Sequence, residues 1–138
     1  MDYNLKYKWI GFILILFWGC CDGITQQILF HYWDFEEVWG FDPIFWNPEI
    51  SWANKWAWNE YGQMIGEKFP LSSTVLVFLT DGYHLLRTLV SWFSLIGIIL
   101  IVRSSQKLYQ YFIDLILIFL IRGIGFALLY NWIPKLLN

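Results

Sequence analysis

LYQYFIDLILIFLIRGIGFALLYNWI, residues 108–133, contains only two charged side chains, Asp114 and Arg122. A helix of this length extends about 39 Å at 1.5 Å per residue, and the hydrocarbon core of a bilayer is roughly 30 Å thick. Lipid can solvate so apolar a surface, whereas water cannot. The stretch therefore predicts a transmembrane helix.

Two further stretches, residues 9–33 and 71–102, are long and apolar enough to make the same prediction. Over the whole chain only 14% of the residues are charged, against about 25% in soluble domains. We therefore predict an all-α membrane protein, a single domain over residues 1–138. Its three transmembrane helices are expected at about 9–33, 71–102 and 108–133.

The predicted loop between the first two helices, residues 34–70, is rich in aromatic residues. They include Phe35, Trp39, Phe41, Phe45, Trp46, Trp52, Trp56, Trp58, Tyr61 and Phe69. Because Trp and Tyr favour the headgroup layer, the loop is expected to lie at the membrane interface. It is either a folded cap or a lid that closes over a site between the helices. Ser72 and Ser73, after Pro70, predict the N-cap of the second helix.

The charges outside the apolar stretches predict an orientation. Cations flank the first helix and fill the short connection between the second and third (Lys6, Lys8, Arg103 and Lys107), whereas the loop holds seven acidic residues against two lysines. The positive-inside rule then places the N-terminus in the cytoplasm, with the loop and the C-terminus outside. Lys135 opposes this orientation. No basic patch indicates a nucleic-acid partner.

Several ionisable side chains fall inside the apolar stretches, namely Asp22, His31, Asp81, His84, Arg87, Asp114 and Arg122. Each central Asp or Arg costs roughly 2.5–3.5 kcal/mol in the membrane unless it is paired or functional. Counted along straight helices, Asp22, Arg87 and Arg122 reach the same depth of about 20–22 Å. Gln26 and His84 follow near 26 Å, by the same rough count. We therefore expect a polar seam between the helices.

Three interpretations of this seam are open. In the first, Asp22 and Asp81 balance Arg87 and Arg122 in a structural salt-bridge network. In the second, the two arginines bind an anion or a lipid headgroup, because guanidinium groups present forked donors, and His84 adds a group that exchanges protons. In the third, a divalent metal is held by His31, His84, Asp22 and Asp81, although no HxxxH-type spacing supports it.

Two segments carry a resemblance to a known family. They are Phe45-Trp46-Asn47-Pro48, continued by Ser51-Trp52 and Asn54-Lys55, and Thr80-Asp81-Gly82-Tyr83-His84. The chain resembles an uncharacterised family of small bacterial integral membrane proteins with FWNP-x-x-SW-x-NK and TDG-[WY]-H motifs. The resemblance implies that Asn47, Ser51, Asn54, Lys55, Asp81 and His84 act together, with the loop over the seam. It brings no established activity.

The leading functional hypothesis is that the protein binds or processes a lipid-like or anionic ligand at an intramembrane polar site. Its candidate residues are Asp22, Gln26, Asp81, His84, Arg87 and Arg122, with Asn54 and Lys55 from the loop. The alternative is a non-catalytic accessory subunit of a larger membrane complex or homo-oligomer, in which the seam is structural. No catalytic residue is assigned, since the chain contains no phosphate loop, CxxC or nucleophile elbow.

Overall fold

A computed structural model of the protein describes residues 3–105, 107–132 and 135. The helices are α1 (Tyr3–Phe30), α2 (Tyr32–Trp39), α3 (Pro43–Trp46), α4 (Gly82–Ser104) and α5 (Leu108–Ala127), and the strands are β1 (Trp56–Trp58) and β2 (Met64–Glu67). Short 3-10 helices span Ser51–Lys55 and Val77–Leu79, and a π-helical turn, Leu128–Trp132, continues α5.

Within the described ranges, three helical segments are long and apolar enough to cross a membrane: Leu5–Phe30, Gly82–Ser104 and Leu108–Asn131. The predicted fold class, a helical membrane protein with an aromatic-rich loop after the first helix, is confirmed. The first segment is the most buried, at 44% of its apolar window against 22% and 11% for the other two. α1 packs along both α4 and α5, which scarcely contact each other.

Glycines let α1 approach both neighbours at backbone distance. A Cβ on Gly11 would lie 2.9 Å from the carbonyl oxygen of Gly97 in α4. A Cβ on Gly19 would collide with the carbonyl of Arg122, and one on Gly125 would collide with the backbone of α1. Small residues at such contacts are the usual basis of helix association in membranes, where dispersion contacts replace the hydrophobic drive.

A buried carboxylate, Asp114, joins the helices at the end of the bundle where α4 connects to α5. Asp114 accepts a hydrogen bond from Ser105 Oγ, and its other oxygen lies 2.8 Å from Lys8 Nζ. These contacts join α1, the connection and α5 through side chains. We call this end the connection side, and the opposite end, with residues 31–81, the loop side.

The observed helix boundaries differ from the predicted ones on the loop side. The second membrane helix begins at Gly82, not near 71, and the first ends at Phe30, where His31 leaves the helical conformation. Ser72 does not cap a helix because its hydroxyl donates to the carbonyl of Lys55 instead. The third helix matches its predicted start, and its predicted last residue, 133, lies outside the described residues.

The loop contains a small antiparallel hairpin that the sequence analysis did not predict. Trp56 pairs with Glu67, and Ala57 pairs with Gly66. After the hairpin, the Glu67 carboxylate accepts hydrogen bonds from the hydroxyl and amide of Ser73 and from the amide of Leu71. These donors hold the pKa of Glu67 below its usual value, because they favour the charged form.

Stacked aromatic rings hold the first part of the loop together. Phe35 is 2% exposed, and its ring centroid lies 5.7 Å from that of Phe41 and 6.0 Å from that of Trp46. Trp39 stacks on Phe41 from the other side. Such pairs add about 0.5–1.5 kcal/mol each beyond the burial of area. The loop is thus a folded cap on the helix ends.

Candidate functional site

The start of α4 holds a buried carboxylate that is surrounded by hydrogen-bond donors. Asp81 is 2% exposed and is the N-cap of α4. It accepts hydrogen bonds from the amide of His84 at 2.9 Å, from Thr80 Oγ1 at 3.1 Å and from His84 Nδ1 at 2.8 Å. Aspartate is one of the preferred residues at a helix N-cap, because its side chain accepts from the free backbone amides of the first turn.

His84 is hydrogen-bonded to this carboxylate and is itself partly exposed. Its Nδ1 points at Asp81, while 37% of its side chain is exposed. When the ring is neutral, the proton on Nδ1 is held by the carboxylate, which leaves Nε2 as an acceptor.

A cavity of about 220 Å³ lies beside His84, between the end of α1, the loop and the start of α4. Its walls comprise Leu29, Pro48, Ser51, Trp52, Asp81, Tyr83 and His84. The accessible lining is therefore mostly apolar, and Ser51, Asp81 and His84 supply its small polar part. A site of this composition suits an amphipathic molecule.

A second cavity, of about 200 Å³, is separated from the first by shared walls, Leu29 and Pro48. Tyr32 also lines it, and the buried Tyr32 hydroxyl has no hydrogen-bond partner among the described residues. Burial, with the nearby carboxylates of Glu36 and Asp42, raises the pKa of this phenol. An unpaired buried hydroxyl costs roughly 1–3 kcal/mol.

The loop residues singled out by the resemblance hold this site in place. Asn54 Nδ2 donates to the carbonyl of Thr80, at 3.1 Å, and to that of Ile44, at 2.7 Å. The Trp46 ring lies directly on Gly82, where any Cβ would overlap it. The two motif segments are therefore in contact, and this close approach explains why glycine follows Asp81.

Asn47 and Lys55 contribute differently. Asn47 is buried, caps the amide of Glu49 at 2.9 Å and lines the second cavity. The Lys55 carbonyl accepts the Ser72 hydroxyl, and its ammonium lies 5.9 Å from the Trp56 ring. Lys55 does not line either cavity, so its candidate role in binding has no support from the geometry.

Asp22 and Arg122 form the expected ion pair between α1 and α5. Arg122 Nη2 contacts the Asp22 carboxylate, and its guanidinium carbon lies 5.0 Å from the centroid of the Trp18 ring. Asp22 is 9% exposed. This pair belongs to the packing of the bundle, because neither residue lines the cavities on the loop side.

Arg87 does not join that pair. It is exposed, and the described residues offer it no carboxylate within ion-pair distance. α4 turns Leu86, Gly97 and Ile101 towards its neighbours, and Arg87 follows Leu86 by about 100° around the helix. The prediction that Arg87 faces the interior and shares Asp22 is therefore wrong.

Gln27, rather than Gln26, is the buried amide of α1. Its Nε2 donates to the carbonyl of Tyr130, and the side chain is 6% exposed. Gln26 is half-buried and takes no part in either cavity. Sequence reasoning chose Gln26 because it shares a face with Asp22. The π-helical turn around Tyr130, which the sequence does not signal, supplies the carbonyl that Gln27 binds.

The four residues of the metal hypothesis do not form one site. His31 Nε2 lies 3.1 Å from the Tyr130 hydroxyl, Asp22 contacts Arg122, and Asp81 contacts His84. In the described part of the chain there is no group of three or more His, Cys, Asp or Glu side chains that could hold a metal ion.

Comparisons of the chain with protein-family models, with curated proteins and with solved structures gave no match. The function is therefore argued from the residues and their geometry.

Proposed function

We propose that the protein binds the polar end of a lipid-like ligand in the two cavities on the loop side, with His84 and Tyr32 as its hydrogen-bonding groups. One observation carries the proposal. His84 is held by a buried carboxylate through Nδ1, yet 37% of its side chain is exposed and it lines a cavity. An imidazole fixed in this way offers Nε2 to a bound molecule.

The surroundings favour an amphipathic ligand. Leu29, Pro48 and Trp52 give the first cavity an apolar side, and Leu29 is exposed at the end of α1, where acyl chains would lie. The polar walls would accept the headgroup. A ligand hydroxyl would donate to His84 Nε2, and a ligand oxygen would accept from Tyr32.

A strongly anionic ligand fits less well. The guanidinium groups that suggested an anion site belong elsewhere: Arg122 is paired with Asp22, and Arg87 lines neither cavity. Asp81 and Glu49 line the walls instead. The proposed ligand is therefore a lipid-like molecule with a hydrogen-bonding headgroup. Any chemistry there would use His84 as a proton acceptor.

Replacing His84 tests the proposal. Lipids that co-purify with the protein in mild detergent are expected to fall about tenfold in His84→Gln, since one hydrogen bond of about 1.4 kcal/mol is lost. Mass spectrometry of the extracted lipids measures the change. Arg87→Gln, an exposed change one turn away, is the matched control and should retain the same lipids.

Tyr32→Phe separates binding from folding. Removing the unpaired hydroxyl is expected to stabilise the lipid-free protein, yet to weaken lipid retention. Unchanged retention in His84→Gln and Tyr32→Phe would contradict the proposed site. So would an equal loss in the Arg87→Gln control.

We further propose that the protein lies in the bacterial cytoplasmic membrane, with its N-terminus inside and residues 34–70 and the C-terminus outside. The supporting feature is the collection of Lys6, Lys8, Arg103 and Lys107 on the connection side, where Lys8 meets Asp114. Cations at one end of a bundle favour the cytoplasmic face.

Cysteine labelling tests this orientation. Tyr61 is 78% exposed at the tip of the hairpin, so Tyr61→Cys, with Cys20 and Cys21 replaced by alanine, should react with an impermeant maleimide in intact cells. Lys107→Cys in the same background is expected to react only after permeabilisation. The opposite pattern would reverse the orientation.

A second candidate, an accessory subunit of a larger complex or a homo-oligomer, is supported by the exposure of α5. Only 11% of its apolar window is buried within this chain, which leaves a long face for either lipid or another helix. A monodisperse protein that keeps its lipid favours the binding function. Dissociation in detergent and co-purification with other chains favours the subunit.

A further inference from the structure

The bundle contains a groove on its connection side, away from the proposed ligand site. α4 and α5 both pack on α1 but scarcely touch each other, and a cavity of about 380 Å³ lies between them. Its floor includes Trp18 of α1, and its sides are mostly aliphatic and aromatic, with Ile98 and Val102 on α4 and Leu115 and Phe119 on α5. Asp114 also lines it, but this carboxylate is buried and paired with Lys8.

The size of the groove limits its occupant. It runs from Leu108 to Arg122 along α5, a length of about 21 Å at 1.5 Å per residue. A helix segment of that length and about 10–12 Å in diameter would occupy at least about 1,600 Å³. The groove is several times smaller, so it fits a chain thinner than a helix.

The two ends of the groove differ in charge. At the deep end Arg122 is already neutralised by Asp22. At the surface end the groove stops at Val102 and Leu108, and the residues next to them in sequence are the exposed cations Arg103 and Lys107. Neither cation makes an ion pair with any residue in the described ranges.

We propose that this groove binds one acyl chain of an anionic phospholipid, whose phosphate lies against Arg103 and Lys107. Acyl chains are the apolar chains that a membrane offers at this depth, and cations at the membrane surface attract acidic headgroups. Bound lipid would also fill the space between α4 and α5, which direct helix contacts leave open. The site is independent of the His84 cavity.

Photo-crosslinking tests the site. The protein is placed in phosphatidylcholine vesicles with a minor fraction of phosphatidylglycerol that carries a diazirine on its acyl chain. Cross-links are expected on groove residues such as Ile98 and Leu115. Arg103→Gln with Lys107→Gln should lower the phosphatidylglycerol cross-linking about 25-fold, or about fivefold per cation. Lys6→Gln, an exposed cation on the same side, is the matched control.

Filling the groove gives a second measurement. Leu115→Trp is expected to abolish the cross-link, whereas Ile113→Trp, exposed on α5 outside the groove, should leave it unchanged. Circular dichroism confirms that each variant is folded. Equal labelling by a diazirine phosphatidylcholine, equal loss in both Trp variants, or cross-links spread around all three helices would mean boundary lipid only. A lipid-free dimer in native mass spectrometry would also overturn the proposal.

Discussion

Replacing either partner of the Asp22–Arg122 pair is expected to lower the free energy of unfolding by about 3–5 kcal/mol, because the remaining charge is left without its partner inside the membrane. Asp22 is 9% exposed, and the pair is the direct electrostatic contact between the middle of α1 and α5. Asp22→Asn and Arg122→Gln should each show this loss. Reversible unfolding in mixed micelles measures it.

The double variant distinguishes a pair from two independent residues. Asp22→Asn combined with Arg122→Gln is expected to recover part of the loss, since two neutral amides can bond to each other without an uncompensated charge. Arg87→Gln is the control, and its effect should stay within about 0.5 kcal/mol, as for other exposed positions. Additive single effects would show that Asp22 and Arg122 do not interact in the membrane.

The Asp22–Arg122 pair was predicted from the sequence only in part. Length and hydropathy identified three membrane helices, and depth along each helix brought Asp22, Arg87 and Arg122 to one level. Depth does not specify how a helix is rotated. The rotation of α1 and α5 follows from the small residues Gly19 and Gly125. Their backbones contact the partner helix, and in this arrangement Arg122 faces Asp22. Arg87 has no such contact to turn it inwards.

The start of α4 could not be read from hydropathy, since residues 71–79 are nearly as apolar as the helix itself. Hydrogen bonding determines where α4 begins. The Ser72 and Ser73 hydroxyls donate to the Lys55 carbonyl and to the Glu67 carboxylate, and Asp81 caps the helix instead. The Ser72–Lys55 pairing joins residues 17 positions apart, which a local sequence pattern does not indicate.

The sequence predicted two residues of the candidate site and missed a third. His84 and Asp81 were identified as costly side chains in an apolar stretch, and the structure joins them. Their spacing of three residues is compatible with a contact on one helix. Tyr32 was not predicted as a site residue, because a tyrosine in an aromatic segment is not distinctive by sequence. Its hydroxyl is buried without a hydrogen-bond partner among the described residues, which only the structure shows.

The backbone contact at Gly19 leads to the second large effect. A leucine there would drive its Cβ into the carbonyl of Arg122, and a backbone carbonyl cannot move aside as a side chain can. We expect Gly19→Leu to cost about 3 kcal/mol or more, at or above the upper end for overpacked interiors. The same unfolding measurement in mixed micelles reports this cost.

Gly123 provides the matched control, because a Cβ there meets nothing within 4 Å. Gly123→Leu is therefore expected to stabilise α5 by up to about 1 kcal/mol, through higher helix propensity and a favourable side chain in lipid. Gly19→Leu should also weaken the coupling between Asp22 and Arg122, since separating the helices by even one methyl group lengthens the contact between their charges. If Gly19→Leu and Gly123→Leu change stability alike, then α1 and α5 do not pack through their backbones, and the rotation that brings Arg122 to Asp22 must have another cause.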